Sequence, residues 1–422
     1  MTSSRSAPAI PDLLSAENLA NPWPGYQILR DHYPVFWHEP SQSWVVSRYE
    51  HIKPLVKDPR LTHEYLQDIL GVFLGDAPVM VAMEGRQHAS RRKLVGPFLN
   101  GKGLDAVAAT IERQARMALE PIFHRERAAV AAGLRDRGRI DFVTEFSKVF
   151  PVSVMCDLMA LPPEDHGKFE DWYNAFILCL GNIQGDPALY ENGMRAKREF
   201  GEYMLPLIAS RRAGDGDDLI SVLCRSEPDG RGVPMTDEEI RTMAALMLLG
   251  GAENTDHQLA QLVHTLVEHP EQLRALQEDR SLVPAAIAEG LRFNGIVQFI
   301  QRLAVEDVAI DGVTIPKGAM VTLFFASGNR DPRRFANPDT FDMFRTDNDV
   351  AKAFGGNAEH LGFGGGPHVC LGMQTTKLEL EIALNLLLDN TSDLRLADGY
   401  QPRWTGVLSR ALSTLELTFR CR

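Results

Sequence analysis

A glycine-rich stretch near the C-terminus holds one cysteine directly ahead of a predicted helix. It runs from His360 to Gly372 and reads HLGFGGGPHVCLG, so five of its thirteen residues are glycine. The dipole and free N–H groups at a helix N-terminus favour the thiolate form of a cysteine, and glycines let backbone N–H groups approach the sulfur closely. A phosphate-binding loop would instead carry Lys followed by Ser or Thr after its last glycine. We therefore expect Cys370 to act as a thiolate rather than as a small buried apolar residue.

A second unusual stretch interrupts a predicted buried helix. Residues 246–259 read LMLLGGAENTDHQL, in which Gly250 and Gly251 each weaken a helix by about 1 kcal/mol relative to alanine. The polar residues Glu253, Asn254 and Thr255 follow directly after this weak point. Their carboxylate, amide and hydroxyl groups are suited to hydrogen bonding and to proton transfer.

The elements that must position these residues are mainly helical. Thr236 and Glu239 form a capping-box signal, which predicts that the interrupted helix starts there. His269-Pro270 predicts that it ends near Glu268. A further helix is predicted to begin at Cys370-Leu371-Gly372.

Strands are predicted in three regions. Residues 31–60 resemble a small sheet followed by a short helix, and the C-terminus returns to strands. Residues 297–325 alternate and turn like antiparallel strands, with Asp311-Gly312 as a turn signal. Helices and strands interleave without βαβ periodicity, so we predict a mainly α (α+β) fold with a minor antiparallel β portion, forming one domain over residues 1–422.

Composition excludes several classes of function. The chain has 422 residues, 24% of them charged, and a net charge of −12, which argues against a nucleic-acid partner. A run of about 18 apolar residues and an apolar N-terminal signal are both absent, so we expect neither membrane insertion nor secretion. The five cysteines are scattered without CxxC spacing, which favours a reducing cytoplasm.

The pattern Phe363-Gly364-x-Gly366-x-His368-x-Cys370-x-Gly372 resembles the haem-binding loop of the cytochrome P450 family. Other motifs of that family occur in the family's order, from about residue 20 to the end: His88-x-x-x-Arg92, Glu289-x-x-Arg292 and the segment 329–345. The resemblance implies a single-domain cytochrome P450 fold of the bacterial soluble type. It also implies haem b with the Cys370 thiolate as axial ligand, which favours O–O bond cleavage.

The resemblance assigns roles to charged residues elsewhere. Arg92, Arg302 and His368, with His88 as a possible fourth, are expected to bind the haem propionates, because guanidinium groups pair well with carboxylates. Glu289, Arg292 and Arg345 are expected to form a buried charged triad that holds the cysteine loop. Taken alone, the Glu289–Arg292 pair is equally consistent with a surface ion pair.

On the interrupted helix the resemblance meets one departure from the family pattern. Gly250 and Gly251 match the small residues that leave room for dioxygen, and Glu253 matches the usual acid. Asn254 occupies the position of the usual threonine, and Thr255 falls one residue later, about 100° further round the helix. Either Asn254 positions a water that Glu253 supplies with protons, or Thr255 turns in at the distorted helix. A shifted alignment without catalytic meaning is the third reading.

The implied activity is a monooxygenase that inserts one oxygen atom of O2 into a small hydrophobic substrate, by hydroxylation or a related oxidation such as O-dealkylation. Electrons are expected from a separate ferredoxin or flavodoxin with its reductase, docking on residues 91–93 and Lys377. The chain is expected to be a monomer. The alternatives are a peroxide-driven peroxygenase and a haem protein that binds a ligand without turnover. Family topology implies an apolar substrate pocket lined by Phe73, Leu74, Val79, Met80, Phe176, Leu180, Leu246, Leu249, Gly250, Gln298, Ile300 and Leu408.

Overall fold

The structure is a computed structural model that describes residues 7–182, 185–228 and 232–422. The sequence also predicts a helix interruption at residues 180–188 and a polar loop within residues 214–240, and parts of both lie outside the described residues. The helices are α1 (Ala16–Ala20), α2 (Trp23–His32), α3 (Tyr49–Leu55), α4 (Leu66–Leu74), α5 (Gly85–Leu99), α6 (Lys102–Ala131), α7 (Phe150–Leu158), α8 (His166–Leu180), α9 (Pro187–Arg212), α10 (Leu219–Arg225), α11 (Asp237–Glu268), α12 (Pro270–Glu278), α13 (Val283–Phe293), α14 (Phe325–Asn329), α15 (Val350–Ala353) and α16 (Met373–Asn390).

The strands are short and few beside the helices. They are β1 (Val35–His38), β2 (Ser43–Val46), β3 (Leu61–Thr62), β4 (Gly138–Asp141), β5 (Ile300–Ala304), β6 (Val308–Ile310), β7 (Val313–Ile315), β8 (Met320–Leu323), β9 (Thr391–Leu396), β10 (Trp404–Thr405), β11 (Ala411–Leu412) and β12 (Glu416–Cys421). The mainly α fold with a minor β portion is therefore as predicted. Among the described residues, every helix is too short or too polar to span a lipid bilayer.

The described residues group into two compact units. Unit 1 comprises Met1–Thr62, His264–Cys370 and Gln401–Ser413, and unit 2 comprises His63–Val263, Leu371–Tyr400 and Thr414–Arg422. Each unit is built from chain segments that are far apart in sequence.

Unit 1 contains a five-stranded sheet in the order β1-β2-β8-β5-β3. Most neighbours are antiparallel as predicted, but β2 and β8 pair in parallel, with Ser43 opposite Met320. This one pair departs from the predicted antiparallel arrangement, because the two strands come from distant segments and need no tight turn between them. Strands β6 and β7 form the predicted hairpin, in which Asp311 and Gly312 adopt φ +49° and +77°.

Unit 2 contains helices α4 to α10, most of α11, and α16, with the sheet β4-β12-β9. The predicted cap starts α11: the Glu239 backbone N–H donates to Thr236 Oγ1 at 3.2 Å, and Glu239 Oε2 accepts from the Thr236 backbone N–H at 2.8 Å. All ten side chains of residues 240–249 are buried. This part of the helix is therefore buried around its whole circumference, as expected of a helix in a protein core.

Candidate active site

The cysteine loop is closed by its own backbone. The Cys370 backbone N–H donates to the Phe363 carbonyl at 2.9 Å, and the Cys370 side chain is partly exposed. Gly364 and Gly366 have φ of +70° and +67°, and a Cβ added at Gly366 would lie 3.0 Å from the Val56 carbonyl oxygen. The left-handed backbone favours glycine at both positions, and the close packing against Val56 is a second reason for glycine at Gly366.

Helix α16 begins at Met373, so the prediction that the helix begins at Cys370 is wrong by three residues. The physical reason is that the Cys370 N–H is committed to Phe363, which turns the chain away from the helical path. The Gly372 carbonyl accepts the first intrahelical bond, from the Thr376 N–H at 2.8 Å. Cys370 therefore lies just outside the first turn of α16.

Two of the predicted propionate ligands lie in unit 1 with Cys370. Arg302 is on β5 with only 5% of its surface exposed, and its Nη1 donates to the Gln301 carbonyl at 2.7 Å. His368 ends a single 3-10 turn, Gly366–His368, and is partly exposed. The loop that presents the thiol therefore also carries a titratable nitrogen base.

The other two predicted propionate ligands lie on α5 in unit 2. His88 and Arg92 are four residues apart and so share one face of the helix. Arg91 is buried, and its Nη2 lies 2.9 Å from Glu239 Oε1. The prediction that Arg91 belongs to a docking surface is wrong, because that guanidinium group is used inside the unit; Lys93 is exposed.

The three residues of the predicted triad meet in unit 1. Arg292 donates from Nη2 and Nε to the two Glu289 carboxylate oxygens at 2.6 and 2.8 Å, and Arg345 Nε lies 2.9 Å from Glu289 Oε2. The Arg292 side chain is fully buried. It also donates to three backbone carbonyls, those of Asn329, Pro338 and Thr340. The triad thus ties α13 to the irregular segment that precedes the cysteine loop.

The two glycines of α11 face different surroundings in unit 2. Gly250 is exposed although the ten residues before it are buried, and a Cβ added there would meet no described heavy atom within 4 Å. A Cβ added at Gly251 would lie 2.4 Å from the Met155 sulfur. Gly250 therefore borders open space, whereas Gly251 allows α7 and α11 to pack closely.

Asn254 and Thr255 point in different directions. The Asn254 side chain is one turn from Gly250 and donates to the Gly250 carbonyl from Nδ2 at 3.4 Å, which places it beside the same open space. Thr255 is buried, and its hydroxyl donates to Glu379 Oε2 at 2.9 Å. The threonine hydroxyl is therefore already engaged by an acid on α16.

Sequence reasoning missed Glu379. It lies in the apolar run LELEIALNLLL, and helical spacing places it on the same face as Ala383 and Leu387, which are both buried. A carboxyl group on that face was the available signal. Burial raises the pKa of Glu379 to about 8, and the hydrogen bond from Thr255 opposes this shift.

This buried acid should make the stability of the protein depend on pH. The folded pKa of Glu379 lies above its ordinary value of 4.5, so between these two values the folded state holds a proton that the unfolded state has released. Stability therefore falls as pH rises through this window. For Glu379→Gln we expect the free energy of unfolding, relative to wild type, to rise by roughly 3 kcal/mol from about pH 5 to about pH 8.

Urea unfolding of the haem-loaded protein at the two pH values measures this difference. The matched control is Glu381→Gln, which removes the same charge from the same helix at a partly exposed ion pair with Lys377. If Glu379→Gln shows no more pH dependence than this control, Glu379 is ionised in the folded protein and the assignment is wrong.

Eight of the predicted substrate-pocket residues fall in one apolar cluster of unit 2. Six belong to its buried part and two pack against it: Leu74, Val79, Met80, Phe176, Leu246 and Leu249, with Phe73 and Leu180. The ninth residue of this unit, Gly250, borders the open space described above. The structure therefore brings together the part of the predicted lining that belongs to unit 2.

The remaining three predicted lining residues lie in unit 1. The Gln298 amide is engaged within the unit, since it accepts from the Tyr26 hydroxyl at 3.2 Å and donates to the Gly295 and Ile296 carbonyls. Ile300 is partly exposed on β5, and Leu408 is 53% exposed. Ile300 and Leu408 therefore both have apolar side chains open to their surroundings, whereas the Gln298 amide is engaged within the unit.

Comparison with known proteins identifies the family. Residues 169–392 match the sequence profile described as Cytochrome P450. The chain is 32% identical over 409 residues to Pulcherriminic acid synthase of Bacillus subtilis (strain 168), which covers 96% of this chain and 97% of that protein. It is 30% identical over 432 residues to Cytochrome P450 monooxygenase PikC of Streptomyces venezuelae, covering 98% and 95%.

A solved structure is similar over nearly the whole chain. The crystal structure of CYP109E1 from Bacillus megaterium in complex with corticosterone superposes with a TM-score of 0.80 and 27% identity, covering 95% of this chain and 99% of that one. The chain therefore belongs to the cytochrome P450 family. It is an oxidoreductase, a monooxygenase that binds haem through a cysteine thiolate and uses O2, an organic substrate and redox partners.

The residues present fit such a haem group. Unit 1 offers a partly exposed thiol in a loop that glycines hold open, and a cation on β5. Unit 2 offers an imidazole and a guanidinium group on one face of α5, and open space beside Gly250. These are the thiolate donor, the carboxylate-binding groups and the gap in side-chain packing that a haem with two propionates requires.

Proposed function

We propose that the protein is a haem b monooxygenase whose axial ligand is Cys370. The observation that carries this proposal is the glycine-held loop in which the Cys370 N–H is fixed to Phe363 while the thiol remains partly exposed. Haem bound through a thiolate supplies the cleavage of the O–O bond and the oxidation of a C–H bond. Phe363, Gly364 and Gly372 shape the loop around the sulfur.

The charged residues would hold and orient the group. Arg302 and His368 from unit 1, and Arg92 and His88 from unit 2, would donate hydrogen bonds to the propionates. The Glu289–Arg292–Arg345 triad would fix the backbone that leads into the cysteine loop. We propose that residues 1–422 form one functional domain, since neither unit is continuous in sequence.

We propose a small hydrophobic substrate, oxidised by hydroxylation or a related reaction such as O-dealkylation. The apolar cluster of unit 2 that surrounds Phe176 supports this class, because small-molecule sites are lined mainly by apolar side chains. The corticosterone bound by the CYP109E1 relative is a compound of that kind. We propose that the enzyme is a monomer in the cytoplasm and receives electrons from a separate ferredoxin or flavodoxin with its reductase. Exposed Lys93 remains available to contact this electron donor.

Turnover with isotope-labelled dioxygen tests the activity. A substrate first identified by the shift it causes in the haem spectrum should gain one labelled oxygen atom per nicotinamide oxidised. If product forms only when peroxide replaces dioxygen and reductant, and takes its oxygen from labelled peroxide, the enzyme is a peroxygenase. Failure to form product under either condition would reduce it to a ligand-binding haem protein.

Proton delivery is the step at which this chain departs from its family pattern. We propose that Glu253 supplies protons and that the Asn254 amide orients the water that carries them, since an amide donates and accepts but does not readily relay a proton itself. Asn254 is placed beside the open space at Gly250. The Thr255 hydroxyl would have to leave Glu379 to take this role.

Substitution at the two positions separates the hypotheses. We expect Asn254→Ala to lower the product formed per nicotinamide oxidised by about tenfold, a part of the roughly 100-fold or more that a placed proton donor contributes. Thr255→Ala should change it much less. Asn254→Thr, which restores a hydroxyl, is the control and should retain coupling. A larger loss in Thr255→Ala than in Asn254→Ala would favour the threonine route instead.

A further inference from the structure

A cluster of titratable groups lies on α11 immediately after Asn254 and Thr255. Asp256 is buried, with 5% of its side chain exposed, and its Oδ1 accepts from the Ser147 hydroxyl at 2.6 Å. Ser147 ends a π-helical turn, Val143–Ser147, in unit 2. The monooxygenase reaction as described so far does not use Asp256.

The His257 ring lies between two carboxyl groups. Its Nε2 lies 3.8 Å from Asp256 Oδ2, and its Nδ1 lies 4.0 Å from Glu253 Oε1. Each distance exceeds the donor–acceptor length of a direct hydrogen bond by less than about 1.5 Å. One bridging water, or a small rotation of the ring, would therefore connect the ring to either carboxyl group. An imidazole can accept a proton on one nitrogen while it donates from the other.

Burial keeps this cluster close to neutral. The groups that act on Asp256 are Ser147, Lys148 directly after the π-helical turn, and Glu253 of the same helix. Asp256 in turn acts on Tyr173 of α8. Burial raises the pKa of Asp256 to about 7, and the Ser147 hydrogen bond and Lys148 oppose the shift.

The two neighbouring rings stay uncharged near neutral pH. Burial, together with a smaller effect of the Lys148 charge, lowers the pKa of His257 to about 4. Burial also raises the pKa of the Tyr173 hydroxyl well above its usual value. Near neutral pH the cluster therefore holds an acid with an exchangeable proton beside an uncharged imidazole.

We propose that Asp256 and His257 form a proton relay that reloads Glu253 during turnover. This inference rests on the proposed role of Glu253. In the relay the Asp256 Oδ2–H bond breaks as a proton passes to His257 Nε2. At the same time the Nδ1–H bond breaks and its proton passes to Glu253 Oε1. Asp256 regains a proton from solvent. His257 returns to its first tautomer by losing the Nε2 proton to water and gaining a proton from water on Nδ1, so protons and charge balance.

The relay predicts three linked results in the haem-loaded enzyme. Asp256→Asn and His257→Gln should lower the product formed per nicotinamide oxidised on the order of 100-fold, the lower end for a lost proton transfer, and should enlarge the solvent deuterium isotope effect. Ser147→Ala should keep turnover but move its pH midpoint upward, because it removes a hydrogen bond that lowers the pKa of Asp256. Exposed His32→Gln is the control and should change none of these.

A readout independent of turnover is the infrared band of the protonated carboxyl group. One component of this band should titrate near pH 7 in wild type and be lost in Asp256→Asn. The component from Glu379, whose pKa is about 8, should remain in that variant and be lost instead in Glu379→Gln. Haem content measured in each variant excludes simple misfolding, and His257→Gln together with Ser147→Ala tests the relay even if Asp256→Asn does not fold.

Glu253→Gln separates this inference from the proposed function. Suppose that Glu253→Gln lowers the product formed per nicotinamide oxidised, while Asp256→Asn and His257→Gln both stay within about twofold of wild type, far from the expected loss. The relay is then wrong, and the proposed role of Glu253 stands. If Glu253→Gln itself leaves coupling unchanged, the proposed role of Glu253 fails and the relay fails with it.

Discussion

Cys370→Ser is expected to abolish monooxygenase turnover and to remove the red-shifted absorption of the reduced, CO-bound protein that marks a thiolate-bound haem. Serine keeps the backbone N–H bond to Phe363 and nearly the same volume, so the loop should still form. A neutral hydroxyl, however, does not donate electron density to iron as a thiolate does. The change therefore removes the ligand and leaves the fold.

The spectrum of the reduced protein under CO, recorded with haem content and thermal unfolding, measures this effect. Cys421→Ser is the matched control, because Cys421 is a second partly exposed cysteine, in β12. It should leave spectrum and turnover unchanged. A Cys370→Ser protein that still shows the red-shifted band would overturn the assignment of the ligand.

Arg292→Ala should have the second largest effect, on folding and haem retention. It leaves the buried Glu289 carboxylate without its bidentate partner, and breaking a buried pair costs about 3–5 kcal/mol. The Asn329 and Pro338 carbonyls lose the Arg292 donor as well, and the Thr340 carbonyl keeps only its bond from Arg345. The irregular segment before the cysteine loop is therefore held less firmly. Arg345→Ala should act in the same direction.

The ratio of haem to protein after purification, together with urea unfolding, measures this loss. Arg116→Ala is the control: it breaks two i,i+4 ion pairs on the exposed face of α6, and it should leave stability and haem content unchanged. Normal haem content in both triad variants would show that the triad does not support the cysteine loop.

Local chemistry explains what the sequence determined by itself. A capping box, a His-Pro pair and a long apolar run are short-range signals, and they predicted both ends of α11. The glycine spacing around Cys370 is equally local, because left-handed backbone at Gly364 and Gly366 strongly favours glycine. Alternation and an Asp-Gly turn predicted the β6–β7 hairpin for the same reason.

The tertiary structure decided what depends on partners distant in the chain. Whether Arg91 meets solvent or Glu239 depends on how α5 packs in unit 2, and that burial removes it from the predicted docking surface. The parallel pairing of β2 with β8 likewise depends on segments nearly 280 residues apart, as the Ser43–Thr322 hydroxyl contact across them shows.

The same holds for the residues around Asn254. Helical periodicity places Thr255 about 100° from Asn254, but only the packing of α16 against α11 reveals that its hydroxyl meets a buried acid. Burial, not residue type, moves the pKa of Glu379 to about 8 and that of Asp256 to about 7. The sequence thus determined which groups are present near the reaction, and desolvation in the folded core decided which of them hold a proton.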